Sequence, residues 1–325
     1  MSEIKITKDQ AISAYKEMLL IRRFEERCGQ EYSMGSIGGF CHLYIGQEAI
    51  IAATNLAKHK GDKTITAYRC HAHALASGLS PAQVMAELMG KKSGSSKGKG
   101  GSMHIFNPEG GYYGGHGIVG AQIPLGTGMA FAEKYKNTDN ICYSFMGDGA
   151  VHQGQVYEVF NMASLWNLPV LYIIENNGYA MGTSVNRSTT NTDLYNRGKE
   201  FGIKGAVCDA MDIEKTYTAL LNASEYVRSG KGPFLLELKT YRYRGHSVSD
   251  PAKYRSKDEV EKYKHLDSIE HLAQLMIEKK YLDANELEKI QDDIKNTVAQ
   301  ALQIAKADSE PNHEELYTDV FSVVA

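Results

Sequence analysis

Residues 141–182 read ICYSFMGDGAVHQGQVYEVFNMASLWNLPVLYIIENNGYAMG, and this stretch decides the fold of the chain. It begins with a short apolar run, Ile141–Met146, which is rich in strand-forming residues and ends abruptly in Gly147-Asp148-Gly149. Apolar residues then recur at helical spacing between Val156 and Trp166. The first part of the stretch therefore predicts a strand, a tight turn and an amphipathic helix.

The second part of the stretch predicts another strand. Pro169 ends the helix, because proline lacks an N–H and restricts the residue before it. Val170–Ile174 is a continuous apolar run, as expected for a strand covered on both faces, and it ends in Glu175-Asn176-Asn177-Gly178. Strand, helix and strand make a right-handed parallel crossover. The sequence thus predicts an α/β protein with a doubly wound, mostly parallel sheet flanked by helices.

Each of these two strands ends in an oxygen-bearing side chain. Ligands of open parallel sheets bind beyond the carboxyl ends of the strands, where Asp148 and Asn177 would meet. A carboxylate, an amide oxygen, a backbone carbonyl and phosphate oxygens suit an octahedral Mg²⁺ ion that holds a diphosphate. Either tripeptide alone is ordinary turn chemistry. Two of them, closing the strands of one crossover with roughly 26 residues between them, predict a metal–diphosphate site.

The spacing between Gly147-Asp148-Gly149 and Asn176-Asn177, together with several further sequence motifs, resembles that of one protein family. The motifs are GGFCHLYIGQEA (38–49), ITAYR (65–69), KGKGGSMH (97–104), GGHGIVGAQ (114–122) and TYRYRGHSVSDPAKYR (240–255). Together they resemble the E1 α subunits of two-chain, thiamine-diphosphate-dependent 2-oxo acid dehydrogenases, in particular the pyruvate-specific ones. The resemblance runs from about Leu19 to about Tyr263, and the segments beyond these limits carry little of it.

The resemblance implies a thiamine-diphosphate-binding fold and an acetyl-transferring pyruvate dehydrogenase activity. In the family, pyruvate is oxidatively decarboxylated on thiamine diphosphate with Mg²⁺, and the acetyl unit passes to the lipoyl group of an E2 acyltransferase. The glycine-rich stretch 110–120 holds no glutamate that could act on the aminopyrimidine ring, and in the family that glutamate comes from a β subunit. The chain is therefore expected to be inactive alone and to function in an α₂β₂ heterotetramer.

The resemblance also assigns roles to individual residues. His42 faces the substrate in the family, while His246 contacts the diphosphate region and assists acylation of the lipoyl group. The backbone carbonyl of Tyr179 is the expected third protein ligand of Mg²⁺, beside Asp148 and Asn177. The expected cofactor contacts are Tyr68, Arg69, Gly117, Val119, Gly147, Asp148, Gly149, Ala150, Asn177 and His246. The role of His116 stays open, because some relatives have asparagine there.

Simple chemistry supports two of these assignments. Arg69 ends the predicted strand 65–69, and a guanidinium beside a diphosphate is well suited to bidentate phosphate binding. The N–H groups that follow Asp148 lie near a helix start, where anions bind. His71 and His73 have no third ligand of matching type nearby. They are predicted to begin a helix and to form part of the active-site wall.

Two segments have the composition of exposed loops. Residues 90–102, GKKSGSSKGKGGS, predict a flexible surface loop, although in the family this segment is ordered near the cofactor channel. Residues 241–251 read as an exposed basic loop, which the resemblance assigns to a flexible active-site loop. Ser247 and Ser249 lie where mitochondrial relatives are phosphorylated. A phosphate there would oppose the diphosphate charge, but this regulation is not expected of a bacterial chain.

Composition excludes several other classes of function. The chain has 325 residues, 42% hydrophobic and 23% charged, with a net charge of −3, and this balance is not that of a nucleic-acid-binding protein. Its five cysteines form no Cys-x-x-Cys pair, which indicates a reducing compartment. No apolar run is long enough to span a membrane. The N-terminus MSEIKITKDQ is neither a secretory signal nor an Arg-rich transit peptide. A bacterial cytoplasmic location is expected, with the mitochondrial matrix as the alternative.

The remaining segments are predicted to be helical extensions of a single domain that comprises residues 1–325. Thr7 or Asp9 would cap an N-terminal helical segment at about 8–36, with a solvated or subunit-facing charged edge over residues 22–27. Residues 234–241 predict a strand of lower burial. The tail at about 257–310 is predicted to hold two amphipathic helices, the second capped by Asp283.

The sequence leaves open three alternatives to a pyruvate-specific E1 α subunit. The nearest is an E1 α subunit that acts on a branched-chain 2-oxo acid or on acetoin, although the words GHSVSDP and AKYR favour pyruvate. A non-enzymatic scaffold would not need Asp148, Asn177 and Arg69. A nucleotide-binding α/β protein would be expected to carry a Walker or G-x-G-x-x-G spacing, which is absent here.

Overall fold

The computed structural model describes residues 5–321, so residues 1–4 and 322–325 of the predicted domain lie outside the described part. The strands are β1 Lys63–Ala67, β2 Tyr112–His116, β3 Cys142–Gly147, β4 Val170–Asn176, β5 Tyr179–Ala180, β6 Thr183–Ser184, β7 Lys204–Asp209 and β8 Phe234–Lys239. The α-helices are α1 Lys8–Ser33, α2 Glu48–Ala57, α3 His71–Ala76, α4 Pro81–Leu88, α5 Gln122–Tyr135, α6 Gly154–Leu165, α7 Val185–Ser188, α8 Ile213–Tyr226, α9 Lys257–Lys264, α10 Ser268–Glu278 and α11 Ala284–Ala307. Short 3₁₀ segments lie at Gly101–Met103, Pro108–Gly110, Ala150–His152, Leu194–Phe201 and His313–Tyr317, and a π-helical turn lies at Val227–Lys231.

Six strands form the central sheet in the order β2-β1-β3-β4-β8-β7, and every neighbouring pair is parallel. The predicted α/β class is therefore confirmed. β3, α6 and β4 form the crossover unit predicted from residues 141–182, and β3 pairs with β4 from Cys142↔Val170 to Gly147↔Glu175. A small antiparallel pair, β5 and β6, follows directly after β4.

Alternate residues of the inner strands enter two different core layers. Tyr143, Phe145 and Leu171 pack with α1, α2, α8 and α10 on one face of the sheet. Cys142 and Val170 face the other way and pack with α5 and α6. All of these side chains are fully buried. Both faces of the strands are thus covered, which explains why the runs that encode them are continuously apolar.

The strand β8 is more buried than its sequence indicated. It lies between β4 and β7 inside the sheet, and Leu235, Leu236 and Leu238 are fully buried. The charged residue that suggested exposure, Glu237, is also fully buried. Its carboxylate accepts hydrogen bonds from the side chain of Asn176 at 2.7 Å and from the backbone N–H of Tyr195 at 3.0 Å. The prediction of lower burial was wrong because a partnered carboxylate can lie in a core.

The N-terminal helix begins as predicted, but its charged edge does not face solvent throughout. Thr7 caps α1 in a capping box with Gln10. Arg22 forms ion pairs with Glu48 at 2.6 Å and Asp267 at 2.9 Å, and its side chain is only 14% exposed. Glu25 is fully buried. The prediction of a solvated edge was therefore wrong for these two residues, whose partners lie far along the chain.

The C-terminal tail contains three α-helices, α9, α10 and α11, rather than the two that were predicted. Asp283 caps α11 through a capping box with Glu286, as expected. α11 packs against α1 and α4, so the tail covers the N-terminal helix. Among residues 5–321, no helix is both long enough and apolar enough to cross a bilayer.

Candidate active site

A cavity of about 820 Å³ opens at the carboxyl ends of the parallel strands. Every residue assigned above to catalysis, to the cofactor or to the metal lines it: His42, Tyr68, Arg69, Gly117, Val119, Gly147, Asp148, Gly149, Ala150, Asn177, Tyr179 and His246. These residues come from six separate stretches of the chain, and the sheet topology brings them together. A cavity at this edge is the expected ligand site of a doubly wound fold.

Asp148 presents a nearly buried carboxylate to this cavity. It follows β3 directly and is 4% exposed. Burial raises the pKa of this carboxyl to about 6, against the opposing effects of backbone N–H groups and of Arg242. Gly149 follows it in close contact with the β5 segment, since a Cβ at this position would lie 2.5 Å from the Cβ of Ala180. The turn after β3 therefore needs glycine there, and it holds a carboxylate whose charge favours a cation.

Asn177 and Tyr179 direct two oxygen atoms at one point. Nη1 of Arg242 donates to Oδ1 of Asn177 at 3.3 Å and to the backbone carbonyl of Tyr179 at 3.2 Å. The side-chain amide of Asn177 is oriented by its own donation to Oε1 of Gln47 at 3.0 Å. The two oxygens thus converge on a single cationic group. Both oxygens are therefore within reach of one positively charged group, which Arg242 supplies in this structure.

Arg242 is the main residue that the sequence reasoning missed. It is 1% exposed, and its guanidinium donates to five acceptors, the remaining three being the Met181 carbonyl, the Tyr254 hydroxyl and the Arg244 carbonyl. An arginine fully satisfied by five acceptors is held in one orientation. The only sequence signal was the alternation of aromatic and basic residues in YRYRGH, which was interpreted as an exposed basic loop.

His42, Tyr68 and His246 form a cluster of rings in the cavity wall. The ring centroids of His42 lie 4.6 Å from Tyr68 and 5.1 Å from His246. Burial, with Arg69 as the next cause, lowers the pKa of His42 to about 2 and that of His246 to about 4. Both imidazoles are therefore neutral near pH 7. Nδ1 of each is buried and has no hydrogen-bond partner among residues 5–321.

Arg69 joins two parts of the cavity wall. It lies two residues beyond the end of β1, since the strand is Lys63–Ala67 and not 65–69 as predicted. Its guanidinium donates to the carbonyls of Leu43 at 2.7 Å and of His246 at 2.8 Å. Burial lowers the pKa of Arg69 to about 10, and Arg242 adds to the effect. Arg69 remains cationic at neutral pH and lies beside the cavity.

Glu175 is a second carboxylate of the cavity that was not assigned in advance. It is the last residue but one of β4, and its Oε1 accepts a hydrogen bond from the hydroxyl of Tyr44. Burial raises the pKa of Glu175 to about 7. In the sequence, Glu175 lies between the apolar run 170–174 and the turn that follows. That position gave no sign of a separate role.

The rim of the cavity is apolar. Phe40, Val119 and Met181 line the cavity and are 64%, 42% and 65% exposed. Ile118, next to Val119, is 75% exposed. His116 does not line the cavity, and its Nε2–H donates to the Tyr113 carbonyl at 3.1 Å. Large apolar side chains that are exposed around the mouth of a cavity are typical of a surface that another molecule covers.

The glycine- and lysine-rich segment 90–102 is ordered around a buried carboxylate. Glu87 is fully buried and accepts backbone N–H bonds from Ser96, Gly98, Gly100 and Gly101 at 2.7–3.0 Å. The segment ends at Ser102 and Met103, and Met103 lines the cavity. Composition favoured a flexible loop and the family resemblance an ordered segment, and the ordered alternative is confirmed. Composition alone does not show this order, because the residue that organises the segment precedes it.

His71 and His73 begin α3 as predicted, but neither lines the cavity. Both are buried behind its wall. His73 lies 3.9 Å from Oε1 of Glu175, and burial lowers its pKa to about 3. His71 bonds Glu25 and Ser102. The prediction that these histidines form part of the wall is corrected to a position one layer behind it.

The donor set suits one kind of metal. Among residues 5–321 there is no cluster of three His, Cys, Asp or Glu side chains that could hold a metal ion. The oxygen-bearing groups among the predicted ligands that line the cavity are instead one carboxylate, one amide oxygen and one backbone carbonyl. Hard oxygen donors with room for phosphate and water fit Mg²⁺ rather than zinc or a redox metal.

Comparison with known proteins gives consistent matches. A family model described as "Dehydrogenase E1 component" matches residues 16–314. The chain is 57% identical to the pyruvate dehydrogenase E1 component subunit alpha of Rickettsia typhi over 317 residues, which are 98% of this chain and 97% of that protein. The protein of the same name from Rhizobium meliloti is 56% identical over 97% of this chain and 91% of its own length. A mitochondrial one from Dictyostelium discoideum is 46% identical over 97% and 83%. The family match extends to residue 314, so the C-terminal tail shares the resemblance that its sequence alone did not show.

Proposed function

The chain belongs to the dehydrogenase E1 component family, and on that premise we propose that it is the α subunit of a pyruvate dehydrogenase E1. Its reaction is the thiamine-diphosphate-dependent oxidative decarboxylation of pyruvate, with transfer of the acetyl unit to the lipoyl group of an E2 acyltransferase. We further propose that residues 1–325 make one thiamine-diphosphate-binding domain, with α1 and α9–α11 as extensions. Bacterial relatives favour a cytoplasmic location.

One observation carries the proposal. The carboxylate of Asp148 and the two convergent oxygens of Asn177 and Tyr179 lie in one cavity, at the ends of the two strands of the central crossover. A diphosphate-bound Mg²⁺ requires hard oxygen ligands next to backbone N–H groups. We propose that Asp148, Asn177 and the Tyr179 carbonyl hold Mg²⁺. Gly147, Gly149 and Ala150 would approach the diphosphate with their backbone.

Thiamine diphosphate, when bound, would stabilise the negative charge that the loss of CO₂ leaves on the former carbonyl carbon of pyruvate. The protein's contribution is to bind and orient. Tyr68, Arg69 and His246 are proposed to contact the diphosphate region, and Arg69 supplies a buried positive charge there. The backbones of Gly117 and Val119 are proposed to contact the ring.

His42 and His246 are proposed as the catalytic histidines. Their pKa values of about 2 and about 4 keep both rings neutral, so each ring offers one N–H donor and one nitrogen acceptor for hydrogen bonds to a ligand. Each has an unpartnered Nδ1. His42 is proposed to face the substrate, and His246, on the loop that carries Asp250, is proposed to assist transfer to the lipoyl group.

A partner chain completes the site in this proposal. The stretch 110–120 contains no glutamate, and the exposed apolar rim formed by Phe40, Ile118, Val119 and Met181 suits coverage by another subunit. We propose that a β subunit covers this rim, supplies the glutamate and forms an α₂β₂ heterotetramer with this chain. E2 would then approach the same opening.

The test is pyruvate-dependent reduction of an artificial electron acceptor with Mg²⁺ and thiamine diphosphate. We expect activity for this chain purified with the β chain encoded beside it, and none for this chain alone. Activity of the pair with branched-chain 2-oxo acids or acetoin, but not with pyruvate, would change the substrate and keep the mechanism. Absence of activity and of cofactor binding in the pair would refute the proposal. In the assembled pair, Asp148→Ala should abolish Mg²⁺-dependent cofactor binding, measured by calorimetry.

A further inference from the structure

Behind the cavity, three buried side chains form a continuous row of hydrogen bonds that ends on the main chain of His42. Oε2 of Glu25 lies 2.9 Å from Nδ1 of His71, and Nε2 of His71 lies 2.8 Å from Oγ of Ser102. The main-chain N–H of His42 donates to the same Ser102 oxygen at 3.2 Å. Glu25 and His71 are fully buried and Ser102 is 4% exposed. Water therefore does not compete for these bonds.

The hydrogen bonds of this row can be oriented so that every proton has an acceptor. Ser102 Oγ accepts the N–H of His42, so its own hydroxyl proton is free to be donated to Nε2 of His71. His71 then carries its proton on Nδ1 and donates it to the Glu25 carboxylate. The other neutral tautomer would place the Nδ1 lone pair against the carboxylate and leave the Ser102 hydroxyl proton without an acceptor. The two ring nitrogens of His71 and the hydroxyl of Ser102 thus link the Glu25 carboxylate to the backbone of His42.

Glu25 and Arg69 hold the rest of the same segment. Oε1 of Glu25 accepts the N–H of Tyr44 at 3.0 Å. Between these two residues, the carbonyl of Leu43 accepts from Arg69 at 2.7 Å. Two charged groups of opposite sign therefore fix consecutive backbone groups of residues 42–44, the anion through N–H groups and the cation through a carbonyl.

We propose that Glu25, His71 and Ser102 are positioning residues for His42. These three side chains form a relay that holds the main-chain N–H of His42 in place. The relay thereby keeps the imidazole of His42 beside Tyr68 and His246. The inference rests on the proposed function, because the placement of His42 matters only if that ring faces the substrate. None of the three residues touches the cavity, so they act through His42.

The relay has the residue types of a nucleophilic triad, but it cannot work as one. Ser102 does not line the cavity, and its oxygen is engaged by the His42 N–H. A nucleophilic hydroxyl must reach a substrate carbonyl, and this one faces the protein interior. Its neighbour Met103 is the residue that reaches the cavity. Positioning is therefore the role that the geometry supports.

The experiment compares two buried serines in the assembled enzyme. Ser102→Ala removes the link to His42, and Ser102→Thr keeps the hydroxyl. The matched control is Ser224→Ala: Ser224, on α8 and outside the relay, is 1% exposed and also makes two hydrogen bonds, to Tyr143 and to the Leu220 carbonyl. The measurements are the kcat and KM for pyruvate, the Kd of Mg²⁺-thiamine diphosphate, the melting temperature, and hydrogen exchange of a peptide that spans residues 40–46.

We expect Ser102→Ala to lower kcat/KM for pyruvate about tenfold, because a displaced catalytic group costs rate without loss of the fold. The cofactor Kd should stay within about twofold, and exchange over residues 40–46 should become faster. Ser102→Thr should retain most of the activity. Ser224→Ala should lower the melting temperature by a similar amount and change neither kcat/KM nor that exchange.

Two results would overturn the proposal. One is an equal loss of kcat/KM in Ser102→Ala and Ser224→Ala, which would show a general stability effect. The other is unchanged exchange over residues 40–46 in Ser102→Ala. If the wild-type assembly has no activity with pyruvate, the proposed function fails, and the exchange experiment still decides whether Ser102 holds His42. Glu25→Gln extends the test, because it keeps the side-chain shape but replaces one of the two acceptor oxygens by a donor: it should speed exchange of the same peptide.

Discussion

Two loops beside the cavity are organised by single buried charges of opposite sign. Residues 90–102 wrap around the carboxylate of Glu87, which collects four backbone N–H groups. Residues 242–255 wrap around the guanidinium of Arg242, which donates to five oxygen acceptors. Neither loop has a hydrophobic core of its own. In each, one ion replaces the core as the source of order.

The two loops differ in where the partners of the ion come from. All four N–H groups around Glu87 belong to the loop itself, so its order is local. The acceptors of Arg242 include Asn177 and Tyr179, which lie outside the loop and are the proposed metal ligands. Order in the second loop is therefore tied to the metal site, whereas order in the first loop is tied to helix α4. A disturbance of the first should affect folding, and a disturbance of the second should affect binding.

The largest effect should follow the loss of Glu87. Glu87→Ala would leave four partly buried N–H groups without their acceptor, and we expect a loss of about 4 kcal/mol in the free energy of unfolding. Glu87→Gln keeps one acceptor oxygen and should lose about half as much. Thermal or denaturant unfolding measures this loss, and hydrogen exchange of residues 90–102 should increase in both variants. A variant as stable as wild type would show that the loop is held by something else.

Replacement of Arg242 should act mainly on ligand binding. Arg242→Met keeps much of the side-chain volume but removes all five hydrogen bonds of the guanidinium. The 242–255 loop should therefore be held less firmly, and Oδ1 of Asn177 should lose its hydrogen bond to Arg242. We expect at least tenfold weaker binding of Mg²⁺-thiamine diphosphate in calorimetry, with about 1 kcal/mol or less lost in global stability because the loop is peripheral. Arg244→Met, at an exposed arginine in the same loop, is the control. Equal effects of the two substitutions would contradict the central role of Arg242.

The two loops should also differ in their response to pH. Burial, with Arg69 and Arg242 as further causes, lowers the pKa of His246 to about 4. The unfolded segment binds a proton near pH 6.5, so the stability of the 242–255 loop should fall as pH drops from about 6.5 to about 4 and should level off below. Loop 90–102 contains no histidine and should lack this step.

Hydrogen exchange at several pH values, corrected for the intrinsic rate, measures this difference in the assembled enzyme without cofactor. His246→Gln should remove the step from the 242–255 loop and leave loop 90–102 unchanged. A step of equal size in both loops, or one that survives in His246→Gln, would show that another group is responsible.

The sequence predicted the site residues at the strand ends better than it predicted the order of the two loops. Asp148 and Asn177 follow apolar strands, and parallel pairing alone brings the ends of adjacent strands together. Their place in the cavity could therefore be derived from spacing. Glu87 and Arg242 gave no such signal, because a buried ion is recognised only by its partners, and those partners are backbone atoms of residues whose composition resembles an exposed loop.

The same reason explains why the relay behind His42 was not foreseen. Glu25, His71 and Ser102 are separated by tens of residues in the chain, and each alone resembles a surface charge, a helix start or a loop residue. Only the packing of α1 against α3 and against the end of loop 90–102 brings them within hydrogen-bond distance. Local patterns predict elements, whereas contacts between distant polar residues depend on tertiary packing.

The smallest effect should come from the strained backbone of Lys97. This residue has φ of +56°, in the left-handed region that non-glycine residues avoid. It lies between Ser96 and Gly98, whose N–H groups both donate to Oε2 of Glu87. A left-handed residue between two N–H groups allows them to converge on one anion. The strain at Lys97 is thus a consequence of the local order that Glu87 imposes.

Lys97→Gly should therefore melt about 1 °C or more above Lys97→Ala, although glycine normally destabilises a fold relative to alanine. Both substitutions remove the exposed ion pair with Asp319, so that loss cancels in the comparison. Lys99 pairs with the same Asp319 and has ordinary backbone angles, and there glycine should melt below alanine. If glycine gives the higher melting temperature at position 97 in wild type but loses that advantage in Glu87→Gln, the carboxylate holds Lys97 in this conformation. If glycine is no better than alanine at position 97, loop 90–102 is not organised around Glu87 as a local anion site, and the contrast with the Arg242 loop fails.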